Sequence, residues 1–395
     1  MLAIVRRLEM VPDLFKSLYA YLRFRLANFL SRNSANKPIV IVHLDRQFPD
    51  IPDRRYFYLV LRTLVESGYY LQIVRKMSFR DFRGLRHYEK YFLQLKDDMR
   101  IVSECPRPVE SSILITNVAS HLSQTAWQKV AQLDCDVLSG RRDDSDLFMP
   151  YFMHPMQYQY DARDQLDELR MSARRVKIFF SGNVLEADYL NPLPGNKLTR
   201  AEIVRALQSM PGVEYLNDER HFREILSGSG FTNACVINDR RVYAVPDEEW
   251  LPTLARGDFF LCLPGSRMPL CHNAIEAMSV GAVPILNYSE WFEPPLEDGK
   301  NCIEFATLQE LRDRLTEILS FDSGVVEAMR QRVVEYYEEN LSPLGFRNQL
   351  ERSPDLRIRL IANTAYPWET ELIEGSEASL NSRVSGDTWV TSTMS

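Results

Sequence analysis

Cysteine is scarce in this chain of 395 residues, and its six copies form no metal-binding or redox pattern. No two are spaced as C-x-x-C, and none stands at a zinc-finger spacing. They are Cys105, Cys135, Cys235, Cys262, Cys271 and Cys302. We therefore expect reduced thiols in a cytosolic protein, since disulfides are rare in that compartment.

The sequence also lacks the long apolar segments of membrane-spanning and secreted proteins. It has no run of about 18 apolar residues, so we predict no transmembrane helix. The first apolar stretch is interrupted by Arg6, Arg7 and Glu9, which argues against a signal peptide.

An excess of positive charge is missing as well, because the chain carries a net charge of -7. Such a balance gives no support to nucleic-acid binding, and we expect no nucleic-acid partner. The charge is uneven, however: residues 1–32 hold six basic and two acidic side chains. A basic N-terminal segment thus precedes an acidic body.

Residues 12–32 have the apolar spacing of an amphipathic helix. Phe15, Leu18, Leu22, Leu26 and Phe29 recur at steps of three and four residues. One interpretation is a helix lying on an anionic membrane surface. The other is a helix packed on the following domain, and the sequence leaves both open.

Strand and helix patterns alternate along the rest of the chain. Predicted strands are 37–45, 69–76, 111–117, 135–140, 174–183, 213–216, 233–239 and 258–265. Predicted helices are 53–67, 123–133, 198–210, 218–227, 246–256, 307–320 and 323–340. Continuous apolar strands separated by helices predict βαβ units with a parallel sheet.

This alternation predicts an α/β protein with two Rossmann-like, doubly wound parallel-sheet domains and a cleft between them. The predicted units are a basic amphipathic N-terminal helix, a first Rossmann-like domain, a hinge, a second Rossmann-like domain, a closing segment and a disordered tail. Their bounds are 1–36, 37–150, 151–173, 174–340, 341–374 and 375–395.

Residues 263–286, LPGSRMPLCHNAIEAMSVGAVPIL, place several polar side chains between two apolar elements. The preceding strand ends at Pro264-Gly265, at the sheet edge where open α/β domains bind ligands. The helix predicted over 272–280 offers free N–H groups that favour a phosphate. Gly265 permits close approach of the backbone, Arg267 can bond a phosphate oxygen, and Glu276 suits a diol such as a ribose.

Each residue of this loop also has an ordinary structural explanation. Asn273 can be a helix N-cap, with Glu276 closing a capping box. His272 can be a half-buried histidine, and Arg267 a surface charge. These polar residues and Ser266 occur together at the end of a predicted strand, however, and this clustering favours a ligand site.

Residues 254–286 resemble the donor-site signature of the GT-B glycosyltransferases. That family shows the pattern FxLxPs followed by EAMxxGxPVI, and this chain has FFLCLP and EAMSVGAVPI. The segment FFLCLPG also resembles the exostosin branch, which reads FCLCPxG. Residues 294–305 resemble the DGxNG segment of several GT-B families, and 177–183 resemble the first strand of the donor domain.

The resemblance implies a sugar transferred from a UDP or GDP donor to a glycan or lipid-linked acceptor, without a metal or other cofactor. It implies that residues 37–150 form the acceptor-side domain and residues 174–340 the nucleotide-sugar-binding domain. It implies that Glu276 holds the ribose hydroxyls and that the loop backbone and Arg267 hold the pyrophosphate. Two positions depart from the family. Met268 stands where retaining members often have a second Glu, and Asn273 stands where the exostosin motif has an Arg, so the stereochemistry stays open.

Further candidates for donor binding lie at the predicted ends of neighbouring strands. Gly182 ends one strand, while Lys197 and Arg200 follow it at the start of a helix. The alternative for the two basic residues is an ordinary solvent-facing helix terminus. No D-x-D motif stands in a convincing loop, and the acidic run 143–146 is typical of solvated charge rather than of metal ligands.

A catalytic base is expected from the first domain, facing the cleft. His43 and Asp45 lie at the end of the first predicted strand, IVIVHLD, and a histidine with a pKa near neutrality suits that task. The alternative is a capping Asp45 and a packed His43, and His154 is a third option. Two other functions stay open: a non-catalytic GT-B scaffold that binds a glycan or a protein, and a GT-B-like sugar-nucleotide epimerase.

Overall fold

A computed structural model gives the fold. It describes residues 2–33, 36–44, 55–85, 88–108, 112–118, 127–134, 146–184, 193, 195, 197–266 and 268–362, with side chains from residue 14 onward. Two separate parallel sheets organise this part of the chain, so the predicted two-sheet α/β architecture is confirmed. In the same residues, no helix is long and apolar enough to span a membrane.

The first sheet has seven parallel strands in the order β3-β2-β1-β4-β5-β13-β6. The strands are β1 (Ile39–His43), β2 (Tyr70–Val74), β3 (Met99–Val102), β4 (Ser112–Thr116), β5 (Lys129–Asp134), β6 (Leu147–Met149) and β13 (Arg357–Ala362). Strands β2 and β3 are added on one side of β1, and β4 and β5 are added on its other side. The switch point of this doubly wound sheet therefore lies between β1 and β4.

The second sheet has six parallel strands in the order β12-β11-β10-β7-β9-β8. The strands are β7 (Val176–Gly182), β8 (Val213–Tyr215), β9 (Thr232–Asp239), β10 (Gly257–Leu261), β11 (Val283–Leu286) and β12 (Ile303–Glu304). Here β7 and β10 are neighbours, and the order reverses between them. The switch point of this sheet lies at the ends of those two strands.

Helices connect the strands of both sheets. They are α1 (Leu2–Leu30), α2 (Arg55–Glu66), α3 (Phe79–Arg83), α4 (Leu166–Arg170), α5 (Arg200–Leu207), α6 (Glu219–Ser227), α7 (Trp250–Leu254), α8 (His272–Ser279), α9 (Leu308–Ser320), α10 (Ser323–Tyr336) and α11 (Pro343–Arg352). Short 3₁₀ helices occur at Glu89–Leu95, Pro155–Gln159, Asp161–Gln165, Asp247–Glu249 and Ser289–Trp291, and a π-helical turn at Tyr337–Leu341.

The core of the second sheet follows from its apolar strands, which are covered on both faces. Phe179 and Phe180 of β7 face Phe260 of β10, with ring centroids 6.0 and 6.2 Å apart. Local signals set the helix starts: Thr199 accepts from the N–H of Glu202, which bonds back to the N–H of Thr199. This capping box begins α5 two residues after the predicted start of the helix.

The helix predicted over 123–133 is wrong in its described part, because Lys129–Asp134 form β5. This strand lies inside the sheet, between β4 and β13. The buried Lys129 donates from Nζ to the carbonyl oxygens of Leu350 at 2.7 Å and Ser353 at 2.6 Å. Tertiary pairing with the far end of the chain therefore overrides the local pattern. The strand predicted at 135–140 lies outside the described residues.

The closing segment returns to the first sheet. After the second domain the chain forms α11 and then β13, which pairs with β5 on one side and β6 on the other. The sequence pattern gave no hint of this return, because no strand was predicted over Arg357–Ala362. The tail predicted at 375–395 lies outside the described residues.

The predicted hinge, residues 151–173, contacts helices of both domains. Arg163 forms a bidentate ion pair with Glu66 of α2, and each of its two hydrogen bonds is 2.5 Å long. Arg170 of α4 donates to the carbonyl oxygen of Ser279, at the end of α8, over 2.9 Å. In this structure the segment therefore holds the two domains together through side-chain bonds.

Candidate functional site

The candidate site lies at the switch point of the second sheet. Strand β7 ends at Gly182, and β10 ends at Leu261. The two strands are neighbours in the sheet. The chain then runs through the loop 262–271 into α8. The predicted strand, loop and helix are therefore confirmed as elements, at the edge where open parallel sheets bind ligands. Within the loop, Ser266 is exposed, and Arg267 lies outside the described residues.

The loop folds tightly on its own backbone at Gly265. A Cβ atom at this position would lie 2.7 Å from the carbonyl oxygen of Met268 and 3.3 Å from that of Leu270. The N–H of Gly265 donates to the carbonyl oxygen of Pro269 over 3.1 Å. A side chain does not fit here, so the glycine is explained by the turn itself, whatever ligand approaches it.

Arg200 is buried beneath this loop and does not face solvent, which rules out the ordinary helix-terminus alternative. Its guanidinium donates to the carbonyl oxygens of Pro264 at 3.0 Å, Leu263 at 3.2 Å and Asn183 at 3.2 Å. It thereby ties the segment after β7 to the segment after β10. Lys197 lies nearer the surface and pairs with Glu290 over 2.6 Å.

Helix α8 begins without a side-chain cap. Its N-cap is Cys271, in extended conformation, and no side chain among the described residues caps the first free N–H groups. The alternative explanation of Asn273 and Glu276 as a capping box is therefore wrong. The amide oxygen Oδ1 of Asn273 has no hydrogen-bond partner among the described residues, although the residue is only 6% exposed. Free N–H groups and a buried unpaired acceptor thus coincide at one helix end.

Glu276 is sealed inside the protein, with 0% exposure. Its Oε1 accepts from the backbone N–H of His154 at 2.7 Å, and its Oε2 accepts from the indole N–H of Trp250 at 2.6 Å. Burial raises the pKa of this carboxyl to about 7, although the bonds from His154 and Trp250 lower it. In this structure the carboxylate joins α8, α7 and the hinge, and it is closed to a ribose.

The surroundings of His272 are rich in positive charge. Burial, followed by His154 and then by Arg55, Arg200 and Arg240, lowers the pKa of the His272 imidazole well below its usual 6.5. The ring of His154 lies 5.2 Å from that of His272, centroid to centroid. The imidazole is therefore neutral at neutral pH, and the cationic groups around it make the site attractive to an anion.

The first sheet contributes His43, which ends β1 and pairs in register with Thr116 at the end of β4. These two strands flank the switch point of the first sheet, so His43 lies at its ligand edge, half-buried. Asp45, the second predicted catalytic residue, lies outside the described residues. His154 is placed between the domains, where Tyr88 lies 3.4 Å from its Nε2.

The described residues contain no group of three or more His, Cys, Asp or Glu arranged to hold a metal ion. Of the acidic run 143–146, only Asp146 is described. Its carboxylate is buried and bonds Arg359 of β13 over 2.7 Å, so it is structural rather than solvated.

Sequence reasoning missed two residues that shape this site. Trp250 of α7 donates a hydrogen bond to Glu276 of α8, and nothing in its sequence position predicted this contact. Arg55 begins α2 in the first domain and acts electrostatically on His272 in the second. Both relationships arise from the packing of distant segments, which no local pattern encodes.

Neither family models nor curated proteins match this chain. Among solved structures, it is similar to Anabaena HepE in complex with UDP-glucose, with 12% identity and a TM-score of 0.39 over 80% of this chain and 98% of that one. It is similar to an alpha-glucosyltransferase in complex with UDP and DNA, with 15% identity, a TM-score of 0.35, and coverage of 81% and 100%. A glycosyltransferase from Rickettsia africae shows 10% identity, a TM-score of 0.32, and coverage of 81% and 99%.

Proposed function

We propose that this protein is a GT-B-type glycosyltransferase that takes a sugar from a UDP or GDP donor. The observation that carries the proposal is the uncapped start of α8 at the switch point, with the unpaired amide oxygen of the buried Asn273 beside it. The helix N–H groups suit the diphosphate, and the amide oxygen suits a donor hydroxyl. The sequence signature of residues 254–286, including its exostosin-like part, agrees with this assignment.

In the proposed reaction, a hydroxyl oxygen of the acceptor bonds to the anomeric carbon of the donor sugar. The bond from that carbon to the diphosphate breaks, and the diphosphate leaves with the electron pair. The α8 terminus and the cationic groups near His272 stabilise the negative charge that develops on the leaving group. His43, at the ligand edge of the first sheet, accepts the acceptor's proton.

The remaining donor-site residues divide between contact and positioning. Ser266, Arg267 and the backbone at Gly265 are assigned to the pyrophosphate, with neutral His272 as a further donor. Arg200 and Glu276 are assigned to positioning, because their contacts support the loop and α8. Glu276 takes the ribose hydroxyls only in a conformation that opens its sealed carboxylate. The resemblance further implies a glycan or lipid-linked acceptor and catalysis without a metal.

Calorimetric titration of UDP and GDP tests the donor site. We expect binding of one nucleotide by the wild type and about tenfold weaker binding by Asn273→Ala, since a lost hydrogen bond to a buried polar group costs about 1–3 kcal/mol. Arg312→Gln, an exposed change on α9, serves as the control and keeps wild-type affinity. Failure of the wild type to bind either nucleotide would overturn the proposal.

A non-catalytic scaffold is the second candidate, and two observations favour it. Glu276 is sealed, and Met268, at the position where retaining family members often have a second Glu, is buried in the loop. A mass-spectrometric screen of UDP- and GDP-sugars for hydrolysis or transfer distinguishes the two. Nucleotide binding without any turnover supports the scaffold, whereas turnover lost in His43→Ala supports the enzyme.

A further inference from the structure

Helix α1 packs on the first domain along one face. The side-chain amide of Asn28 bonds both the N–H of Ile101 at 2.6 Å and its carbonyl oxygen at 3.0 Å, so it covers the open edge of β3. Ser31 donates to the carbonyl oxygen of Met99 at 2.8 Å, and Tyr21 to that of Met77 at 3.1 Å. The packing interpretation of this helix is therefore confirmed for that face.

The opposite face of α1 is apolar and open. Eight large apolar side chains are between 38% and 73% exposed: Leu14, Phe15, Leu18, Tyr19, Leu22, Leu26, Phe29 and Leu30. At about 100° per residue they fall within an arc of roughly 160°, along about 24 Å of helix axis. An apolar patch of this extent marks an interaction surface.

Basic side chains border the apolar face on both sides. On the same helical projection, Lys16 and Arg23 lie along one border, and Arg25 lies near the other. Arg32 follows two residues after the last residue of the helix. Long basic side chains in this arrangement place their apolar stems with the patch and their charges at its rim. The body of the protein is acidic overall, so the positive charge is concentrated here.

A cavity of about 460 Å³ opens between α1 and the ends of β2 and β3. Four basic residues line it, namely Arg25, Arg75, Lys76 and Arg100, and no acidic residue of the described part of the chain does. Arg75 is held by Glu89 over 2.9 Å, and Arg25 donates to the hydroxyl of Tyr21 over 3.2 Å. Lys76 and Arg100 are exposed and have no ion pair among the described residues. The cavity has the size and charge to take a phosphate-bearing group.

We infer that α1 lies on an anionic lipid bilayer, with its apolar face at the acyl boundary, and that the adjacent cavity holds the phosphate headgroup of one lipid. Charge complementarity commits the surface to a lipid rather than to an apolar protein partner, because basic residues border the patch and line the cavity. The cavity and His43 both lie at the carboxyl ends of the strands of the first sheet. The side of the protein that faces the bilayer is therefore also the proposed acceptor side. The inference stands whether or not a nucleotide sugar is the donor.

Sedimentation of the full-length protein with vesicles tests the apolar face. We expect the wild type to sediment with vesicles containing phosphatidylglycerol and to remain in solution with phosphatidylcholine alone. The double variant Leu22→Gln, Leu26→Gln is expected to bind at least about tenfold more weakly. The matched control Met171→Gln, Leu344→Gln changes exposed residues elsewhere and is expected to bind as the wild type does.

A second pair of variants tests the headgroup cavity. Lys76→Gln with Arg100→Gln removes two lining charges, and we expect about fivefold weaker vesicle binding for each. Arg80→Gln with Arg83→Gln removes two exposed charges from α3, which does not line the cavity, and is expected to cost less than fivefold in total. Far-ultraviolet circular dichroism verifies that all variants are folded.

Three results would overturn the inference. They are no wild-type sedimentation with anionic vesicles, equal binding to both vesicle types, and unchanged binding after the two leucine substitutions. Equal losses in the cavity pair and the α3 pair would reject the headgroup site. Nucleotide binding is measured on the same samples, so failure here is distinguishable from failure of the donor site.

Discussion

The backbone N–H of His154 donates to Oε1 of Glu276 over 2.7 Å, and this bond joins the hinge to α8. The same carboxylate accepts from Trp250 of α7 through its other oxygen. Three segments far apart in the chain thus meet at one buried acidic group. The position of α8, and with it the candidate donor site, depends on that group.

The pH dependence of stability should reveal Glu276. Its carboxyl has an ordinary pKa of 4.5 when unfolded and, because of burial, a pKa of about 7 when folded. Its contribution to the free energy of unfolding is therefore fully present below pH 4.5 and is lost as the pH rises through 7. By linkage the loss is about 3 kcal/mol.

Urea unfolding at a series of pH values measures this effect. Glu276→Gln does not titrate, so the difference between the wild-type and variant profiles isolates the group. We expect that difference to change between pH 4.5 and 7 and to be constant above pH 8. Parallel profiles across the whole range would contradict the assigned shift.

Trp250→Phe should destabilise the protein while leaving its apolar packing nearly intact. The substitution removes the indole N–H and leaves Oε2 of Glu276 buried without that donor. We expect a loss of about 1–3 kcal/mol in the free energy of unfolding, measured in urea at pH 7. Because a bond that lowers the pKa of Glu276 is lost, the pH profile should also shift upward. Trp291→Phe, at a half-buried tryptophan outside this network, is the control.

Arg200→Lys should behave as a disruptive change despite the conserved charge. The guanidinium reaches three carbonyl oxygens at once, and a lysine ammonium lacks the rigid fork for this. We expect about 2–4 kcal/mol of destabilisation by chemical denaturation, since buried carbonyl groups lose their donors. Arg220→Lys, on the exposed surface of α6, should change stability by less than about 0.5 kcal/mol. Equal values for the two variants would refute this role.

Gly265→Ala should distort the loop before α8. The added Cβ would meet the carbonyl oxygen of Met268 at 2.7 Å, so the backbone must shift. We expect a loss of about 1–3 kcal/mol in stability and weaker nucleotide binding, measured by thermal unfolding and calorimetry. Gly230→Ala is the matched control, since a Cβ there has nothing within 4 Å. Wild-type behaviour of Gly265→Ala would show that the loop adapts.

Several elements of the fold follow from short-range patterns in the sequence. Apolar runs predicted β1 and β7, and the helical patterns over 198–210 and 272–280 predicted α5 and α8. These signals are local because backbone bonding and helix capping involve neighbouring residues. The alternation of such elements also predicted two parallel sheets, and the two sheets are confirmed.

The tertiary structure alone decided how distant segments complete these elements. Residues 129–134 form a strand because β13, more than two hundred positions later, pairs with them. Glu276 looked like a ligand-facing carboxylate in its helix, yet His154 and Trp250 seal it. Burial and pairing depend on which segments meet in space, and the local pattern carries no record of that. The sequence by itself therefore determined several of the elements and the place of the candidate site, while the packing of remote segments decided the other elements and which side chains of the site can face a ligand.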